Sequence, residues 1–147
     1  MLKGRTLFWW RWLVAVTVGV QLFGLVMVLM PDFTRRLFSW LIFAAPDRIG
    51  AFGDSAVGYI GLSHGVLGAV MFGWGTALLF ILLGPFKRGS REAWLTLVVS
   101  LAAWYVPDTA FSFLSGFWQN AVLNTALAAL LVIPLVATRG ACSQRAT

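Results

Sequence analysis

The sequence predicts an all-α fold: a four-transmembrane-helix bundle with a short interfacial amphipathic helix after the first span. Three observations carry this. Of 147 residues, 60% are hydrophobic and only 11% charged, whereas about a quarter of the residues in an ordinary soluble domain are charged. Four apolar stretches reach the ~20 residues that a helix rising ~1.5 Å per residue needs to cross a hydrocarbon core of ~30 Å. The basic residues cluster at the ends of those stretches, where the positive-inside rule places them. With short connections the four spans take up nearly all of residues 1–147, which therefore read as a single membrane domain.

The first span covers about residues 10–30. It is introduced by Lys3, Arg5 and Arg11 interleaved with Trp9, Trp10 and Trp12, a charged boundary with an aromatic belt. Its apolar run is longer than the ~7–15 residues of a signal-peptide core and lacks a small-residue cleavage site, so it reads as a retained helix. Pro31 and Asp32 end it, with Asp32 as a cap for the next helix. The segment FTRRLFSWLIF, Phe33 to Phe43, is too short to span and sets Arg35 and Arg36 among aromatic and aliphatic side chains, the pattern of a helix lying in the interface.

A loop with Pro46, Gly50 and Gly53 leads to Asp54 or Ser55 as cap of the second span, about residues 56–84. The basic turn GPFKRGSRE precedes a third span, about 93–115, which contains Pro107 and Asp108. GFWQN connects it to a fourth, about 121–138, with Arg139 and Gly140 as a helix stop. The amino-terminal flank, second connection and tail together hold eight Lys and Arg residues, against three in the first connection, balanced by Asp32, Asp47 and Asp54, and none in the third. Both termini are therefore expected in the cytoplasm, in a bacterial inner membrane.

The same distribution turns the net charge of +6 into a topology signal and points to membrane lipids, not nucleic acid, as partner. The single cysteine, Cys142, excludes an internal disulfide, and one Cys with one His cannot build a structural metal site.

Depth counting brings polar residues together. His64 lies eight residues into the second span, ~12 Å deep, and Asp108 seven residues before the end of the third, ~10 Å from the same side. Gln21 on the first span and Asn124 and Thr125 on the fourth belong to that outer half as well. An ionisable group facing lipid costs about 3 kcal/mol or more, so such groups turn inward and find partners. The expectation is a polar cluster of Gln21, His64, Tyr105, Asp108 and Asn124, with His64 and Asp108 in direct or water-mediated contact. Such a cluster is either plain interhelical glue or a site. Pro107, beside it, frees a backbone carbonyl near Ala103.

Gly58, Gly61, Gly65, Gly68 and Gly75 line one side of the second span. A small-residue face of this kind serves close helix packing. Alternatively Gly61, Gly65 and Gly68 form a flat shelf for a tetrapyrrole, heme or chlorophyll, with His64 as axial ligand. The lone histidine excludes bis-His ligation within one chain. There is no phosphate loop, acid pair or metal cluster. A triad of Ser63, His64 and Asp108 fails because adjacent helix positions point ~100° apart. No catalytic residue is assigned, and one His and one Asp define no continuous transport path.

The four-span layout, the helix YIGLSHGVLGAVMFGWG and the segment AWYVPDTAFSFLSGFWQNAVLN resemble small bacterial membrane proteins of the DoxX-like group. The resemblance implies an accessory role beside quinol-oxidising or other redox complexes and assigns no residue. Two functions are consistent with the residues. One is a non-catalytic accessory or structural subunit, packed through its eight Trp, twelve Phe and glycine stripe against other membrane subunits or copies of itself. The other is a binding protein for a quinone, lipid or planar cofactor in an outer-half pocket near His64 and Asp108.

Overall fold

The computed structural model describes residues 4–143; Lys3 and Arg145, which contribute to the topology count, lie outside them. The described residues form helices and turns, without a strand. The helices are α1 (Arg5–Leu29), α2 (Pro31–Phe43), α3 (Asp54–Ile81), α4 (Arg91–Leu114) and α5 (Trp118–Ser143), with a 3₁₀ turn at Ile49–Phe52 and a wide π-type turn at Leu82–Phe86. Four segments are long and apolar enough to cross a membrane: α1, α3 with its π turn, α4 and α5. The fold class is the predicted one, all-α with four long apolar helices that fit a four-helix bundle. Only 17–39% of the residues in their most apolar stretches are buried. In water that surface would be a severe aggregation liability, whereas lipid is as apolar as the side chains it meets. The chain is an integral membrane protein.

Several boundaries move from the expected positions for local reasons. Asp32 does not cap α2: Met30 occupies the cap position, Pro31 is the first helical residue, and Asp32 pairs with Arg35 at 3.0 Å. Proline fits there because its missing N–H belongs to the first turn, which has no intrahelical acceptor. Neither Asp54 nor Ser55 caps α3; the Val57 N–H donates to the Gly53 carbonyl at 3.0 Å, and Gly53 has φ +88°. At α4 the cap is Ser90, whose hydroxyl accepts from the Ala93 N–H at 3.1 Å. The stop expected at Arg139 and Gly140 is not taken, and α5 runs on to Ser143. Thr138 and Cys142 are both buried there, so packing of the last turn outweighs the glycine.

The described residues form two compact units. The first comprises those up to Val18 and those from Ala77 onward; the second is Gly19–Thr76. In the first unit, α4 and α5 pack against each other, and the Trp94 indole N–H donates to the Leu135 carbonyl at 2.8 Å. Helix α5 continues through Pro134, which has no N–H to offer the Leu130 carbonyl one turn earlier. The Trp12 indole N–H fills that vacancy at 3.0 Å. A second break follows α3, where Gly84 leaves helical geometry (φ −94°, ψ −105°) before Pro85. There the Trp10 indole N–H donates to the Leu82 carbonyl at 2.8 Å, and the Lys87 ammonium sits 4.6 Å over the Trp10 ring.

In the second unit, α1 and α3 touch backbone to backbone at Gly24 and Gly68. A Cβ on Gly68 would stand 2.5 Å from the Gly24 carbonyl oxygen, and one on Gly24 2.6 Å from that of Gly68. Helix α2 buries its small polar residues Thr34 and Ser39 and leaves three of its four aromatics exposed. Ser39 is fully buried, donating to the Ala45 carbonyl at 2.6 Å and accepting from the Ile49 N–H at 3.1 Å, while Phe33 and Trp40 are exposed.

The proline vacancy gives a double-mutant test. Trp12→Phe is expected to cost about 1 kcal/mol of stability in detergent, because the Leu130 carbonyl loses its donor. In a Pro134→Ala background, where residue 134 supplies a backbone N–H, the same change should cost measurably less. Equal costs in both backgrounds, read from denaturation midpoints, would show that the indole is not replacing the missing amide.

Candidate functional site

The polar residues of the spans fall into separate groups. On α4, Asp108 and Ser112 lie one turn apart, and Asn120 faces them from the first turn of α5. Asn120 donates from Nδ2 to Asp108 Oδ1 at 3.1 Å and to Ser112 Oγ at 2.8 Å. The Ser112 hydroxyl donates to the Asp108 carbonyl at 2.7 Å, with a longer 3.4 Å approach to Oδ1. One turn deeper, Tyr105 and Thr125 share a hydrogen bond of 3.1 Å. Thr125 already donates to the Ala121 carbonyl at 2.7 Å, so the phenol is the donor. These bonds close the α4–α5 hairpin at its turn. A carboxylate held in this way acts as a clasp between the two helices at their turn.

Reflection about Gly116, the middle of the α4–α5 turn, explains why depth points to one asparagine and the hairpin uses another. It sets Asp108 opposite Asn124 and Ser112 opposite Asn120. The amide of Asn120 is long enough to bond the serine across from it and the aspartate one turn on. Asn124 is not part of the clasp: it is buried, and its Nδ2 has no partner.

In the second unit, Gln21 is not beside His64. It donates from Nε2 to the Thr76 hydroxyl at 2.6 Å, twelve residues along α3 from His64, or ~18 Å at helical rise. The Thr76 hydroxyl donates in turn to the Phe72 carbonyl at 2.8 Å, and the bare Cα of Gly75 lets Gln21 approach. His64 stacks on Phe38 of α2, ring centroids 4.6 Å apart and planes 24° from parallel. Its Nδ1 is buried without a hydrogen-bond partner. His64 and Asp108 thus belong to different units, each with its own neighbours.

The glycine shelf is also divided. Gly68 cannot carry a cofactor, because the α1 backbone occupies the space beside it. Gly58, Gly61 and Gly65 have nothing within 4 Å of where a Cβ would be. Among the described residues no three His, Cys, Asp or Glu side chains gather to hold a metal ion. Depth counting does not single out Thr76, Asn120 or Phe38. Asn120 alone has a legible signal, a polar residue facing Ser112 across a short turn.

Fold and polar groups together define an integral membrane protein with four candidate spans, several of whose polar side chains bond one another. No family model, curated protein or solved structure matches the chain. The DoxX-like resemblance rests on layout and the two quoted segments.

The division of the glycine row is open to direct test. Gly68→Ala and Gly24→Ala each drive a Cβ into opposing backbone and should destabilise the protein by about 1–3 kcal/mol. Gly61→Ala and Gly65→Ala meet open space and should gain up to ~1 kcal/mol of helix propensity. Thermal melts followed by circular dichroism in micelles should therefore move in opposite directions for the two pairs; shifts of one sign for all four would contradict the geometry.

Proposed function

We propose that the protein is a non-catalytic accessory or structural subunit that packs against a larger assembly in a bacterial inner membrane, with both termini in the cytoplasm. The observation that carries this reading is the open half of the α3 glycine row. At Gly68 that row already holds another helix at backbone contact, and at Gly58, Gly61 and Gly65 it continues with nothing against it. Small residues let transmembrane helices approach closely enough for dispersion and Cα–H contacts to drive association, which apolar burial cannot do in lipid. A second transmembrane helix is the natural occupant. Helix α2, with Phe33, Trp40 and Phe43 exposed, would lie in the interface beside it. A DoxX-like affiliation belongs to the same proposal and is consistent with an accessory role.

The test is a comparison of tagged wild type and a Gly61→Leu/Gly65→Leu variant after mild solubilisation of native membranes. Wild type should migrate in a complex with other membrane proteins. The variant, whose new side chains enter open space, should fold and migrate alone. A monomeric wild type sinks the accessory reading, and a variant that keeps its partners sinks the role of the glycine face.

A second reading rests on His64, whose Nδ1 is buried and unpartnered beside the open positions at Gly61 and Gly65. An imidazole so placed can ligate or hydrogen-bond a quinone, lipid or planar cofactor lying on α3. Mass spectrometry of the purified protein should then find a retained small molecule that His64→Ala loses while keeping its melting temperature within a few degrees. Retention unchanged in His64→Ala excludes that site.

A further inference from the structure

Two buried polar atoms of the second unit, Oγ1 of Thr34 on α2 and Nδ1 of His64 on α3, have no hydrogen-bond partner. Thr34 is 0% exposed, and its backbone N–H, not its hydroxyl, donates to the Met30 carbonyl at 3.0 Å. A buried hydroxyl or imidazole nitrogen left without a bond loses its hydration and gains nothing in return, which is why such atoms are uncommon in folded proteins.

Packing brings the two atoms to one corner. Phe38 stacks on His64 with ring centroids 4.6 Å apart, and Thr34, four residues before Phe38, shares its side of α2. On α3, Gly68 follows His64 by one turn, and a Cβ there would stand 2.7 Å from Met27 Cβ and 3.3 Å from Val28 Cγ2 of α1. Met27 and Phe38 therefore meet adjacent turns of α3, and Thr34, between them in the chain, is wholly covered. The end of α1, the start of α2 and the His64–Gly68 turn of α3 enclose the corner. Its chemistry is uncharged: Asp32 and Arg35, the charged residues flanking Thr34, pair with each other at 3.0 Å. A metal ion would need more ligands than one imidazole and one hydroxyl, and no three His, Cys, Asp or Glu side chains gather among the described residues. A hydroxyl group matches both atoms, since its oxygen can accept from a threonine while its proton goes to an imidazole nitrogen.

We propose that this corner binds one uncharged hydroxyl group, which accepts from Thr34 Oγ1, donates to His64 Nδ1 and so ties α2 to α3. Water and the hydroxyl headgroup of a neutral lipid are its two sources, and both make the same two bonds. The proposal shares His64 with the second functional reading and needs no ligand along the glycine face. A small molecule retained through His64, with Nδ1 indifferent to Thr34, would overturn it and leave that reading standing.

The chain has one histidine, so full-length protein labelled at the histidine nitrogens gives the NMR signals of a single imidazole. In micelles at alkaline pH, wild-type Nδ1 should resonate as an unprotonated nitrogen shifted by an accepted hydrogen bond. Thr34→Val, which keeps the shape and removes the hydroxyl, should move that resonance toward the unbonded position, and Thr34→Ser should leave it in place. Ser63→Ala should also leave it, because that hydroxyl is bonded to the Tyr59 carbonyl. Thr34→Val should raise the unfolding equilibrium constant about fivefold to tenfold, the loss of one hydrogen bond, whereas in a dry corner removing an unbonded hydroxyl would lower it. A wild-type shift that persists after delipidation supports the assignment with water as the hydroxyl. A shift lost on delipidation and restored by monoolein supports it with a lipid headgroup. A protonated or unbonded Nδ1 in the wild type overturns the assignment even where Thr34→Val fails to fold. An Nδ1 resonance unmoved in Thr34→Val, or a Thr34→Val protein more stable than wild type, overturns it as well.

Discussion

A backbone carbonyl that loses its helical N–H inside a membrane has no water to turn to, and that constraint organises the first unit. Proline creates the vacancy at Leu130 by occupying position 134, and the Gly84–Pro85 break disturbs the helix beside Leu82. Indole N–H groups of Trp12 and Trp10 reach those two carbonyls from α1. Indole suits the task because it offers one donor and no acceptor, so nothing on the ring is left unsatisfied once the bond forms. The bonds also join parts of the chain far apart in sequence, 118 residues in one case and 72 in the other. Where apolar burial gives no net drive between helices, such polar ties and close packing set the arrangement.

Close packing is the second device, and α3 shows it both used and unused. The contact at Gly24 and Gly68 is possible because neither residue has a Cβ; an alanine at either would meet a carbonyl oxygen well inside contact distance. Three positions of the same row lack any such neighbour. A bare helix face in lipid carries a cost in helix propensity, since glycine is about 1 kcal/mol worse than alanine in a helix interior. Inside the second unit that cost is offset by backbone contact. At Gly58, Gly61 and Gly65 no such contact offsets it, and the proposed packing partner is what would do so.

The fold is legible in the sequence because its determinants are long-range averages: apolar runs of sufficient length, and cations placed at their ends. The polar groups are legible as to residue and illegible as to pairing. Asp108 plainly needs a partner, but whether Asn120 or Asn124 supplies it depends on the reach of an amide across a three-residue turn, which depth counting at ~1.5 Å per residue does not resolve. Gln21 goes with His64 if polarity and position inside a span are the only guides, yet the register of α1 against α3, fixed by Gly24 on Gly68, sets it against Thr76. Gly140 looks like a stop because local propensity says so. The burial of Thr138 and Cys142 around it is a tertiary fact that no local rule contains.

The same distinction bears on how a chain of this kind can act. The Asp108 carboxylate is engaged with Asn120 and Ser112, and Gln21 with Thr76. A polar group already satisfied inside one hairpin or one helix pair has little differential binding left to offer a substrate or a reaction's transition state. Two features that carry no such bond are the open positions at Gly58, Gly61 and Gly65 of α3 and the buried Nδ1 of His64. On such a helix face the small residues set how closely another helix or a ligand can come, because no Cβ stands in the way.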